Sequence, residues 1–236
     1  MKSIRFFGLT LLYLAVITCN TQAQTWQQIG PGAGGQLRAL YEHPLPNNKF
    51  DLYVGSDVSA VWKASNLDRT SFDNTNTQYE YLSNHRIFRF VNKFVHSPLL
   101  SDKLFAVSRG GIDIIDLNGV LPMTQVAVEL SSVAVDLSES WVSDMHIAPG
   151  NATGEYKVWF VTGNSQLYDN EKKSNSIDDF YYGTYYASTN NIVLDGSQNL
   201  PLLGSDRNAY CIQWHDNNTA GNFSDDYLLI GTKRII

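Results

Sequence analysis

The sequence repeats one short pattern four times. Each copy has a strand that ends in a His-x-Pro-like turn or a related polar turn, followed by a run of β-branched and aromatic residues that closes on a small residue. The copies span residues 39–56, 93–108, 145–163 and 211–232. The corresponding positions Pro44, Pro98, Pro149 and Asp216 are 54, 51 and 67 residues apart. A strand-rich unit that recurs every 40 to 50 residues or so is typical of the blades of a β-propeller.

The hydrophobic pattern within each unit predicts short strands. Leu52 and Val54 alternate with polar residues, and Val58, Ala60 and Trp62 resume the alternation after a break. Each unit holds at least three such strands, and no window combines a 3.6-residue apolar period with helix caps. We therefore predict an all-β fold with little or no helix. The predicted architecture is a β-propeller with about three complete blades and part of a fourth, from a ring of about 6 to 8 blades.

The repeat also predicts the boundaries of the units. They lie near residues 37–92, 93–141 and 142–208, with an incomplete unit at 209–236. Residues 169–208, which are rich in Asn, Asp and Ser, are predicted to be an insertion that forms loops or extra hairpins on one face. Because three units and a fragment leave an unpaired sheet edge, we expect either a longer gene product or closure of a small ring by residues 25–29.

The N-terminus has the features of an export signal. Lys2 and Arg5 precede an apolar stretch of twelve residues, and a small-x-small cleavage site ends at Ala23. The stretch is shorter than the roughly 20 residues that span a bilayer, and no later window reaches that length. We expect a secreted or cell-surface protein that has lost residues 1–23. Lipid attachment at Cys19 is the less favoured alternative, because Thr18 is larger than the residue usual there.

Charge and motif content exclude several classes of partner. The net charge is −6, and the only basic clusters are Lys172-Lys173 and Lys233-Arg234, so we expect no nucleic-acid partner. The glycine-rich segment 30–35 is not followed by a Lys-Ser/Thr pair or a helix, so no phosphate-binding loop is predicted. We expect no cofactor, and Cys211 has no partner within the mature chain.

The first blade resembles a known family. Its sequence runs through residues 26–35 (WQQIGPGAGG), His43-Pro44 and residues 53–65 (YVGSDVSAVWKAS). This order resembles the start of secreted bacterial β-propellers of the BNR/Asp-box type, which include sortilin-like repeats and xyloglucanase-like enzymes. The export signal resembles those of Bacteroidetes surface proteins. The window at residues 65–72 (SNLDRTSF) is a degenerate Asp-box, in which Leu67 and Arg69 replace the aspartate and the glycine.

The resemblance implies a catalytic role for Asp57. In xyloglucanase-like enzymes an aspartate at a similar position is one of two catalytic carboxylates, and a Gly-Gly pair follows it. Ser59-Ala60 stands there in this sequence, and the second carboxylate of that family comes from a second propeller that this sequence does not contain. Glycoside hydrolysis needs both carboxylates, about 5 to 9.5 Å apart. The alternative is that Asp57 accepts backbone hydrogen bonds in a tight turn.

An aromatic cluster at residues 180–186 is the main candidate for ligand binding. Flat aromatic rings beside Asn and Asp side chains suit the apolar faces and hydroxyls of a carbohydrate. The candidate residues are Tyr181, Tyr182, Tyr185 and Tyr186. The alternative is a β-hairpin whose tyrosines cover the body of the protein.

Four histidines recur at nearly equivalent places in the repeats, which indicates a structural role rather than a metal site, and we predict no bound metal. They are His43, His96, His146 and His215.

Taken together, the sequence favours a non-catalytic, secreted or cell-surface propeller that serves as a binding or scaffold module. The predicted partners are a polysaccharide or glycan and further domains of the same polypeptide. The alternative is a glycoside hydrolase of the xyloglucanase-like type that uses Asp57.

Overall fold

The computed structural model of the protein describes residues 37–56, 61–70, 78–82, 91–119, 123–137, 141–163, 180–198, 209–215 and 227–232. All of them belong to the compact unit formed by residues 32–236. The predicted export signal, Asp57 and the possible closing strand at residues 25–29 lie outside the described residues.

Two sheets of four antiparallel strands come first in the chain. In each, every strand pairs with the strand before it. The first sheet consists of β1 (Leu37–Leu45), β2 (Lys49–Ser56), β3 (Val61–Asp68) and β4 (Gln78–Tyr81). The second sheet consists of β5 (Val91–His96), β6 (Lys103–Ser108), β7 (Gly111–Asp116) and β8 (Thr124–Gln125).

The third sheet has six strands, four of which repeat the same antiparallel order. The third sheet consists of β9 (Ala127–Leu130), β10 (Val133–Ala134), β11 (Val142–Pro149), β12 (Glu155–Thr162), β13 (Phe180–Tyr186) and β14 (Asn191–Gln198). Strand β9 pairs in parallel with β14 and carries β10 at the sheet edge. The fourth sheet consists of β15 (Ala209–His215) and β16 (Tyr227–Thr232).

The predicted all-β class is confirmed. The described residues contain a single three-residue 3₁₀ helix, Pro98–Leu100, and no α-helix. Its first turn is capped by Ser97, whose hydroxyl accepts a hydrogen bond from the Leu99 amide. The described strands form several antiparallel sheets and do not close into a ring.

In every sheet, the strand that begins the repeated antiparallel order starts with the same irregularity. We call this strand, which is β1, β5, β11 or β15, the first strand of its sheet. Its first residue pairs with a serine or threonine that ends the second strand, and the register then shifts by one residue. The first residues are Leu37, Val91, Val142 and Ala209, and their partners are Ser56, Ser108, Thr162 and Thr232. Such a bulge bends a strand and increases its twist. The sequence repeat is therefore also a repeat of backbone geometry.

Consecutive sheets pack face to face, in the order of the sequence. The first strands lie side by side, because β1 contacts β5, β5 contacts β11 and β11 contacts β15. Three apolar cores fill the spaces between the sheets. They include Tyr53, Phe94 and Leu104 between the first and second sheets, Phe105, Met145 and Tyr185 between the second and third, and Val161, Phe180 and Ile212 between the third and fourth.

The second sheet shows why its strands are apolar on both faces. Leu104 and Ala106 face the first sheet, whereas Phe105 and Val107 face the third, and all four are fully buried. A strand covered on both sides needs a continuous apolar run rather than an alternating one. The apolar run that closes each repeat is thus explained by stacking of one sheet between two others.

The segment predicted as an insertion has a different role. Its described part, residues 180–198, supplies β13 and β14, the third and fourth members of the repeated antiparallel order. The two strands pair directly with each other, and β13 pairs with β12 along its whole length. The segment therefore completes the third unit instead of adding to it.

Candidate functional site

The aromatic segment at residues 180–186 lies in the middle of the third sheet. It forms β13, and its side chains alternate between the two faces of the sheet. Tyr181 and Tyr185 point toward the second sheet and are buried, whereas Tyr182 and Tyr186 are partly exposed. The four tyrosines predicted as one binding surface are therefore divided between two environments.

The buried pair belongs to the hydrophobic core. Tyr181 stacks on Phe160, with ring centroids 4.8 Å apart and an interplanar angle of 8°. Tyr185 meets Phe105 edge to face at 5.3 Å, and its hydroxyl donates to Asn190 Oδ1 at 2.8 Å. Burial raises the pKa of Tyr185. These two rings stabilise the packing of the second and third sheets and are not at the surface where a sugar would stack.

Tyr182 lies flat along the opposite face of the third sheet. Its hydroxyl oxygen would be only 2.5 Å from a Cβ atom at position 196, where the chain has glycine. Gly196 therefore makes room for the phenol, because a larger residue would push the ring off the strand. Phe180 stacks beside Tyr182 at 5.7 Å, and Trp159 is the neighbour of Tyr182 on β12.

Two tryptophans bring the third and fourth sheets together beside Tyr182. Trp159 of β12 and Trp214 of β15 are both half-buried, and their rings stack at 6.0 Å with an interplanar angle of 13°. The His146 ring lies 5.9 Å from Trp214 and 6.4 Å from Trp159. The cluster combines large apolar rings with one titratable imidazole.

Charged and hydroxyl groups adjoin these rings on the same face. The Lys157 ammonium donates to Thr184 Oγ1 at 3.2 Å and to Asp195 Oδ2 at 3.3 Å. Lys157 and Asp195 are both accessible to solvent. We call Trp159, Tyr182, Tyr186, Lys157 and Asp195 the aromatic face. It offers apolar ring surfaces next to hydrogen-bond donors and acceptors.

The pH dependence of stability should report on the imidazole of this cluster. Burial lowers the pKa of His146; the Asp144 carboxylate acts in the opposite direction, and Lys93 adds to the lowering. The unfolded chain then takes up the proton at a higher pH than the folded chain, so stability should fall as the pH drops below about 6.5. Urea unfolding at pH 7.5 and pH 5.5 or so, for the wild type and His146→Gln, measures this effect.

The wild type should lose more stability on acidification than the variant. Part of the loss should persist in His146→Gln, since burial also lowers the pKa of His43. Identical losses in the two proteins would contradict a stability role for His146.

The repeated histidines do not all share one register position. His43 and His215 lie the same number of residues after the bulge of their strands. His96 lies one residue closer to the bulge of its strand, and His146 lies two residues closer. Since a shift of one residue moves a side chain to the other face of a sheet, His96 points to the opposite side of its sheet from the other three. His96 lies 5.3 Å from the Tyr41 ring and 3.5 Å from the Ser101 carbonyl oxygen. Among the described residues, no group of three or more His, Cys, Asp or Glu side chains could hold a metal ion.

A buried carboxylate joins three of the sheets. Asp144 of β11 accepts hydrogen bonds from the Met145 amide at 2.8 Å and from the Ile212 amide of the fourth sheet at 3.2 Å. The Lys93 ammonium of the second sheet donates to both of its oxygens at 2.8 Å. Asp144 is fully engaged in these contacts, which indicates a structural role.

Sequence reasoning missed Trp159, Trp214 and Asp144. Both tryptophans stand in runs that were identified as strands, but no local pattern shows that the two strands meet across a sheet interface. Asp144 precedes the repeated histidine position by two residues and carries no motif. The catalytic role predicted for Asp57 stays a prediction, since that residue lies outside the described part of the chain.

Comparison with known proteins identifies no family. No family model matches the chain, and no curated protein matches it. Among solved structures, one match is an ancestral GH74 enzyme, with 21% sequence identity and a TM-score of 0.44. The alignment covers 81% of this chain and 22% of the enzyme, so the chain spans about a fifth of that enzyme's length.

The described residues contain no helix that is long and apolar enough to cross a bilayer.

Proposed function

We propose that the protein is a non-catalytic, carbohydrate-binding β-propeller module of a secreted or cell-surface protein, and that the aromatic face is its binding surface. The observation that carries the proposal is the neighbouring placement of Trp159 and Tyr182, partly exposed, beside the Lys157–Asp195 pair. The position of Tyr182 and Tyr186 supports the part of the sequence hypothesis that concerns them. Trp159, Lys157 and Asp195 were not part of that hypothesis, and the proposal adds them to the binding surface.

The propeller assignment is supported by the repeated sheets. Three successive units each contain four strands in antiparallel order, and a fourth unit begins in the same way. The sheets stack through their first strands, as the blades of a propeller do around its axis. The shared bulge, at the same register position in all four sheets, gives each first strand the same bend.

The chemistry of the aromatic face suits a sugar. The C–H faces of a pyranose ring are apolar and pack on aromatic rings, while its hydroxyls need donors and acceptors at the edge of the ring. The Tyr182 ring lies over Gly196, which leaves room for it, and supplies the aromatic surface. Lys157 and Asp195 supply a donor and an acceptor that already lie 3.3 Å from each other.

Removing the Tyr182 ring should weaken sugar binding. A stacking contact is worth about 0.5 to 1.5 kcal/mol, so Tyr182→Ala should raise the Kd by about 2- to 12-fold. Isothermal titration calorimetry of the wild type against xyloglucan and mixed-linkage β-glucan oligosaccharides establishes the ligand, and the variant is then titrated with the same oligosaccharide.

Two variants serve as controls. Tyr182→Phe retains the ring and should bind nearly as well as the wild type. Leu99→Ala removes an exposed apolar side chain of the 3₁₀ helix, outside the aromatic face, and should leave the Kd unchanged. The proposal fails if the wild type binds none of the glycans, or if Leu99→Ala weakens binding as much as Tyr182→Ala.

A further inference from the structure

The three interfaces between sheets follow one rule. Each sheet presents a residue of its second strand to the following sheet and a residue of its first strand to the preceding sheet. The second-strand residues are Tyr53, Phe105, Trp159 and Leu229, and the first-strand residues are Leu40, Phe94, Met145 and Ile212. The members of each set share one register position. The rule therefore predicts that one face of every sheet is covered by the preceding sheet and the other face by the following sheet.

The first-strand set is buried wherever a preceding sheet is described. Phe94, Met145 and Ile212 each lie in the core formed with the sheet before them. Leu40, at the same position in the first sheet, is 64% exposed. Leu40 begins a row of apolar residues that runs across the sheet and continues with Val54, Trp62 and Tyr81. The ring centroids of Trp62 and Tyr81 are 4.9 Å apart. We call this row the leading face.

The second-strand set shows the complementary pattern. Tyr53 and Phe105 are fully buried against the following sheet, and Trp159 is half-buried against Trp214. Leu229, at the same position in the fourth sheet, is 58% exposed. Tyr227, two residues earlier on the same face of β16, is also exposed. We call Leu229 and Tyr227 the trailing face.

One kind of hydrogen bond occurs at two of these three interfaces. The bulged residue of one first strand donates to the first residue of the next: Asn92 Nδ2 to the Val142 carbonyl at 2.8 Å, and Ser143 Oγ to the Ala209 carbonyl at 2.5 Å. Leu37 occupies the same place at the start of the first sheet and is exposed. The leading face thus has the apolar row and the strand start that a preceding sheet of this repeat would contact.

We propose that the leading face binds the trailing face of a second copy of this chain. The occupant is a sheet of the same repeat because every described interface joins these two unlike faces, and the trailing face is the one that this chain itself presents. The contact is head-to-tail, since the two surfaces differ. Two copies joined twice in this way would bring together eight described sheets, four from each copy, and rings of about 4 to 8 blades are known for propellers.

The molar mass in solution tests the proposal. Size-exclusion chromatography with light scattering should give the purified protein twice the mass of one chain. Leu40→Asp and Leu229→Asp each place a charge in one of the two faces, and each should reduce the mass toward that of one chain. Val133→Asp, at a third exposed apolar position (68%) outside both faces, should leave the mass unchanged.

Mixing the two variants distinguishes head-to-tail contact from other arrangements. Leu40→Asp keeps an intact trailing face, and Leu229→Asp keeps an intact leading face. An equimolar mixture should therefore form pairs in which these two intact faces are in contact. Recovery of pairs also shows that both variants are folded. A wild type with the mass of one chain at every concentration overturns the proposal. So does a variant that pairs with itself as well as the wild type does, because two like faces would then be in contact.

Discussion

Replacing Phe105 with alanine should lower the free energy of unfolding by about 4 kcal/mol. Phe105 is fully buried between the second and third sheets, and its ring meets Tyr185 edge to face. The substitution removes that aromatic contact and leaves a cavity that two rigid sheets cannot collapse to fill. For a chain of this size the melting temperature should fall by roughly 8 to 16 °C. Urea denaturation followed by tryptophan fluorescence measures the loss.

Two controls separate the cavity from a general effect of substitution. Phe105→Leu retains most of the apolar volume and should cost about 1.5 kcal/mol or less. Val133→Ala, at an exposed position on the edge of the third sheet, should change stability by less than about 0.5 kcal/mol. Equal losses for Phe105→Ala and Val133→Ala would show that the second and third sheets do not pack through Phe105.

Truncation of Asp144 should be nearly as costly, for a different reason. Asp144→Ala should lower the free energy of unfolding by about 3 kcal/mol, because it leaves the Ile212 amide without its acceptor in a buried interface. Lys93 contributes little to this cost, since its side chain is 52% exposed and its ammonium can return to water. The measurement is again urea denaturation, at neutral pH.

The neighbouring substitutions identify which contact matters. Asp144→Asn retains one acceptor oxygen and should lose less than Asp144→Ala. Lys93→Ala removes the cation but keeps the amide hydrogen bonds, and should cost less than Asp144→Ala. If Lys93→Ala were as destabilising as Asp144→Ala, the ion pair rather than the backbone amides would account for the stability.

The candidate site was predictable only in part. The sequence placed an aromatic cluster at residues 180–186 and its composition pointed to sugars. It did not show which rings face the core, because that depends on what covers each side of β13. Tyr181 and Tyr185 pack against the second sheet, whereas Tyr182 packs partly against the core shared with the fourth sheet and Tyr186 is partly exposed. Trp159 and Trp214 meet only because the third and fourth sheets stack.

The histidines show the same limit. Their recurrence marked the repeats correctly, but spacing along the chain did not give their register. The bulge near the start of each first strand sets that register, and it depends on hydrogen bonds with the second strand that no local pattern encodes. A difference of one or two residues from the bulge is enough to place His96 and His146 in different surroundings.

The sequence by itself determined the all-β class and the four repeats, each with its first two strands. Alternating and continuous apolar runs are local properties, and they specify a strand and whether one or both of its faces must be buried. The tertiary structure alone decided which sheet covers which face, that residues 180–198 complete the third unit, and that Asp144 joins three sheets. These features depend on contacts between residues far apart in the chain, where the side chains of one sheet meet those of the next.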